Sequence, residues 1–149
     1  MKLTDRVNAL KNQLTESNYE LKKIESGWIQ SIDSYNAVRN NLEKPTTPEG
    51  LKVIAGQYKE IMAKQIDLFR VHADIIGKIS PKARNILENK INELEKNDRE
   101  FQKRNFEQDI TQDQINPLMK KYNTLYEEIH SSIEIFRLII HDTIKKFED

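Results

Sequence analysis

Residues 3–42 read LTDRVNALKNQLTESNYELKKIESGWIQSIDSYNAVRNNL, and their period decides the fold class. Positions seven apart carry Val7, Leu14, Leu21, Trp28, Tyr35 and Leu42, all apolar or aromatic. A companion series runs through Leu3, Leu10, Ser17, Ile24, Ser31 and Val38, so two heptad stripes lie side by side. The pattern predicts one long helix, or two nearly collinear ones, reaching about 60 Å at about 1.5 Å per residue. Gly27 is its weak point, because Gly inside a helix costs about 1 kcal/mol relative to Ala. A bend there, or a neighbouring backbone close by, is the expected consequence.

Working outward, the segment from Lys44 to Gly50 holds Pro45 and Pro48, which remove helix donors and bias the preceding residue to extended geometry. The first helix should end there, with Thr47 capping a second helix whose first turn holds Pro48. The broad apolar face of that helix includes Leu51, Ile54, Tyr58, Ile61, Met62, Ile66, Phe69 and Ile76, as expected for contact with neighbours on more than one side. Ser80-Pro81 repeats the stop-and-cap grammar and opens a third helix. Its stripe is narrow (Leu87, Ile91, Leu94, Phe101), and the polar run from Glu95 to Glu100 reads as a solvated outer helix. After a polar connector around Asp109 to Gln114, Asn116-Pro117 marks the start of a fourth helix. Its Met119, Tyr122, Tyr126, Ile129, Ile133 and Ile140 follow three-four spacing.

These segments predict a single domain over residues 1–149: an all-α antiparallel bundle of about four long helices, the N-terminal one heptad-patterned. The chain carries 24 basic and 24 acidic residues, and no segment departs from balance by more than two. A neutral chain lacks the global field of a nucleic-acid or anionic-lipid binder, so such a partner would need a local basic patch. With no Cys there is no disulfide framework or thiolate chemistry, and the N-terminal residues show no apolar run of a secretory signal. No stretch approaches the about 18 apolar residues of a membrane span. A soluble cytoplasmic protein is expected.

Little in the sequence points to catalysis. The glycines are scattered, leaving no phosphate loop or nucleophile elbow, and three His residues nominate no triad. Glu127 and His130, three apart on one helix face, are the only pair with metal-ligand spacing. A di-metal bundle needs a second Glu-x-x-His, which is missing, so no cofactor is expected. His72 lies by the apolar stripe of the second helix as a hydrogen-bonded boundary residue. The expected function is therefore a non-enzymatic protein–protein interaction module (adaptor, assembly or chaperone-like) that self-associates. Two alternatives are a metal- or ligand-binding bundle and a local basic patch for nucleic acid or lipid. The partner-binding candidates are the seam Leu10, Leu14, Leu21, Trp28 and Tyr35, should the first helix project, and Ile135, Leu138 and Ile139, which fall off the narrow face of the last helix.

Overall fold

The computed structural model describes residues 2–44, 47–103 and 112–148. Among the described residues there are five helices and no strand: α1 (Leu3–Lys23), α2 (Glu25–Glu43), α3 (Pro48–Gly77), α4 (Pro81–Gln102) and α5 (Gln112–Glu148). The chain is all-α. Helices α1 and α2 both touch α3 and α5, α4 touches α3 and α5, and α3 meets α5 across the middle.

The two stop-and-cap signals fold as expected. The Thr47 hydroxyl accepts from the Gly50 amide at 3.1 Å, and the Ser80 hydroxyl accepts from the Ala83 amide at 3.2 Å. Each satisfies one of the amide groups that a helix start leaves without an intrahelical acceptor. Pro48 and Pro81 follow in the first turn, where a missing N–H costs nothing.

Three expectations need correction. The N-terminal helix is interrupted at Ile24, not at Gly27: Ile24 sits at φ −96°, ψ 0° between α1 and α2. The Trp28 amide still donates to the Ile24 carbonyl at 2.9 Å, so the departure lasts one residue. Gly27 lies inside α2, and a Cβ built there would meet nothing within 4 Å, so no close backbone explains it. Pro117 does not open the last helix but lies inside it, because α5 already begins at Gln112. The remainder of the expected connector, up to position 111, lies outside the described residues, as do the side chains of Leu42 and Leu118. Finally, α4 is not simply a solvated outer helix. Asn97 and Asp98 are buried with Ala83, Leu87, Ile91, Leu94 and Phe101, continuing the stripe between its last two apolar residues. The helix packs against both α3 and α5, and a position between two neighbours is buried whatever its polarity.

The core has two parts. The larger joins α2, α3, α4 and α5 through Trp28, Tyr35, Tyr58, Met62, Phe69, Leu87, Ile91, Tyr122, Tyr126, Ile129 and their neighbours. The smaller joins α1 to the ends of α3 and α5 through Leu14, Leu21, Ile75 and Ile140. Leu3, Val7 and Leu10 precede it on α1 and are exposed. The junction is tied by polar contacts: the Lys78 ammonium meets the Glu20 carboxylate at 2.9 Å, and the Gln13 amide donates to the Lys78 carbonyl.

Two substitutions test this account by chemical denaturation. Because Gly27 is helical and unobstructed, Gly27→Ala should stabilise the protein by about 0.5–1 kcal/mol and raise the denaturation midpoint. Ser80→Ala should lose about 1 kcal/mol with the cap. A destabilised Gly27→Ala protein would show that a neighbour occupies that space.

Candidate functional site

Trp28 is the chain's single tryptophan, and its burial determines what surrounds it. An indole taken out of water must find an acceptor for its N–H. Trp28 Nε1 donates to Glu134 Oε1 of α5 at 2.8 Å. One turn earlier on α5, the His130 ring stacks on the indole with centroids 5.1 Å apart and planes 13° from parallel. From α3, His72 approaches the same indole to 4.5 Å and Phe69 to 5.7 Å. Three helices therefore converge on one side chain.

His72 is fully buried, not a boundary residue. Its Nδ1 lies 2.9 Å from the Leu68 carbonyl, so in the neutral ring Nδ1 carries the proton and donates. Nε2 is left without a hydrogen-bond partner among the described residues. Burial disfavours the imidazolium and pushes the His72 pKa down to about 4, with the Leu68 carbonyl opposing and the Arg137 charge adding to the shift.

Beside Trp28, between α1–α2 and α5, opens a cleft of about 440 Å³. Leu21, Trp28, Glu134 and Arg137 line it, with Ile29 and Leu138 among the other lining residues. The Arg137 guanidinium donates through both terminal nitrogens to the Leu21 carbonyl at 3.3 and 3.4 Å, while its buried Nε has no acceptor among the described residues. Partial burial lowers the Arg137 pKa, against the more distant charges of Glu134 and Glu25. No carboxylate among the described residues lies within ion-pair distance of it.

Glu127 and His130 do not act together. Glu127 is exposed and reaches Arg39 of α2 at 3.6 Å, whereas His130 turns inward to the indole and to Tyr126. Among the described residues no three His, Asp or Glu side chains are placed to hold a metal ion. Of the expected seam, Leu14, Leu21, Trp28 and Tyr35 are all covered by other helices of the same chain, and only its N-terminal part, Leu10 with Val7 and Leu3, faces solvent. Ile135, Leu138 and Ile139 are more than half exposed, together with Ile29 on α2. Glu134 and Arg137 escape the sequence pattern because charged residues of an amphipathic helix read as solvated, and Ile29 because it lies off both heptad stripes. The signal that could have found Glu134 is the acceptor that a buried Trp requires. The chain matches no protein-family model, no curated protein and no solved structure, so the functional reading rests on its own residues.

The buried imidazole makes stability depend on pH. Because the folded pKa lies below the unfolded value of about 6.5, the unfolded chain gains the proton first as pH falls. From about pH 7.5 to pH 5 this should cost about 2 kcal/mol, with more lost towards pH 4. Comparing denaturant midpoints of wild type and His72→Phe across that range isolates this share. Parallel profiles would show that His72 protonates freely in the folded protein.

Proposed function

We propose that the chain is a non-enzymatic, self-associating interaction module, a cytoplasmic adaptor, assembly or chaperone-like protein built as an antiparallel helical bundle. In this reading α1 and α2 together take one position of the bundle and α3, α4 and α5 take the others, consistent with their neighbour relations. The observation that carries the reading is the run Ile135, Leu138 and Ile139, one exposed aliphatic strip on a helix whose opposite face is already buried. Three large aliphatic side chains within five positions cost solubility, and covering them with a partner recovers that cost.

The partner that fits this strip is a second copy. A two-fold axis near Arg137 that runs α5 against its twin sets Ile135 against the partner's Ile139. The same axis sets Glu128, one or two turns before the strip, against the partner's Lys146, which lies equally far beyond it. Such a pairing is self-complementary, as a two-fold interface requires. Mixed charges at both ends would set register, with affinity coming from the apolar strip.

Light scattering and sedimentation test this. Wild type should dimerise, and Leu138→Glu with Ile139→Glu should raise the dimer dissociation constant at least about 100-fold while keeping the helical circular dichroism signal, since each buried side chain of this kind contributes about 1.5–3 kcal/mol. Leu14→Asp with Leu21→Asp should instead detach α1 and lower the denaturation midpoint, because both positions hold α1 to the smaller core. A wild type that stays monomeric at about 1 mM, the concentration matching a dissociation free energy of about 4 kcal/mol, would overturn self-association.

A further inference from the structure

The cleft beside Trp28 holds a cation that the fold leaves short of acceptors. Arg137 has five N–H donors, and among the described residues they meet one carbonyl, that of Leu21, at long range. Its Nε is buried and unmatched, and the guanidinium is partly withdrawn from water. A guanidinium in this state pairs with a planar anion through two parallel hydrogen bonds better than with any other group. Glu134, one turn earlier on α5, makes no ion pair with Arg137 among the described residues; its Oε1 accepts from the Trp28 N–H and lies 3.8 Å from His130. Glu25, across the cleft, acts on Arg137 only at a distance. The apolar part of the lining is the indole, Leu21, Ile29 and Leu138, with Asn18, Lys22 and His141 as further polar residues around the cleft. A space of about 440 Å³ is of the size that takes small molecules.

We infer that this cleft is a binding site for a carboxylate on an apolar stem, the carboxylate pairing with Arg137 and the stem lying against Trp28 and Leu138. The ligand is a small aliphatic acid or the C-terminus of a peptide ending in an aliphatic residue; both present the same chemistry. Arg137 and Trp28 belong to one chain, so the site is complete in the monomer, and the titration is read on monomeric protein, before α5 pairing covers Leu138.

Trp28 is the only indole in the protein, so its Nε1–H gives one assignable cross-peak in a ¹H–¹⁵N spectrum. Full-length protein is titrated with hexanoate and, separately, with hexanamide, which has the same stem and no charge. Hexanoate should shift the peak saturably, with a dissociation constant about tenfold or more below that of hexanamide, as a charge-assisted pair predicts. Arg137→Gln should bring the acid to the level of the amide. Arg137→Lys, which retains the charge without the fork, should fall between and serves if the Gln variant fails to fold. N-acetyl-leucyl-leucine binding about tenfold tighter than hexanoate assigns the site to peptide termini, and the reverse order assigns it to small acids. Equal response to acid and amide, no response to either, or unchanged selectivity in a folded Arg137 variant overturns the inference. Because Leu138 lines the cleft as well as the strip, self-association is read separately on Ile135→Glu with Ile139→Glu, both outside the cleft, so either proposal can fail alone.

Discussion

The structure depends on how rings from different helices share one column. Tyr122, Tyr126 and His130 recur every fourth residue on α5 and therefore stand one above another on its inner face. Tyr35 from α2 stacks on Tyr126 at 4.0 Å, and Trp28, seven residues earlier, stacks on His130 at 5.1 Å. Tyr58, Phe69 and His72 approach the same rings from α3. Each aromatic pair adds about 0.5–1.5 kcal/mol beyond its buried area, but the larger effect is on register. A slip of α2 by one residue along α5 would carry both of its rings off the column at once. Two seven-spaced aromatics against three four-spaced ones thus fix the relative setting of helices that simple aliphatic stripes would allow to slide.

Buried rings with polar tips impose a second layer of order. The Trp28 N–H takes Glu134, and the Tyr35 hydroxyl donates to the Asn123 side-chain carbonyl, both on α5. The two bonds lie at either end of the column, and together they clamp α2 lengthwise on α5. Burial raises the pKa values of Tyr35, Tyr122 and Tyr126 well above that of a free phenol, so these tips stay neutral donors across the physiological range. The need for an acceptor at Trp28 also explains why a carboxylate stands beside a buried ring. With Glu134 so engaged, Arg137, one turn further along α5, is left to the carbonyl of Leu21.

Much of the fold was legible because its signals are local. Thr47 with Pro48 and Ser80 with Pro81 are caps whose chemistry is complete within four residues, and both form as read. Trp28, Tyr35, Tyr58, Tyr122 and Tyr126 sit in the core because their spacing already put them on inner faces. What escaped the reading depends on more than one helix. The interruption at Ile24 falls on a residue with no breaker chemistry, where α1 passes from the smaller core to α2 on the larger one. Asn97 and Asp98 are interior because α4 has neighbours on both sides, which no property of the segment Glu95 to Glu100 announces. His72 reads as a boundary residue because one helix shows only its own stripe, whereas the Trp28 indole packs on it from α2. The cleft was invisible for the same reason: Arg137, Leu21 and Trp28 lie on three segments and meet only after folding.

The division of the core has a further consequence for where the molecule opens first. Resistance to local unfolding follows the apolar contacts that must be broken. The aromatic column ties α2 to α3 and α5 through many large side chains, while α1 is held mainly by Leu14 and Leu21 against Ile75 and Ile140, with the exposed Glu20–Lys78 ion pair screened by solvent. Ile24 breaks helical continuity between the two, so α1 can separate without unwinding α2. The Leu21 carbonyl that holds Arg137 belongs to that separable helix. Release of α1 would therefore free the guanidinium and widen the cleft in one step. An anion on Arg137 that also packs against Leu21 would favour the closed arrangement. The cleft and the docking of α1 thus share the Leu21 carbonyl, and the exposed Leu3, Val7 and Leu10 ride on the same helix.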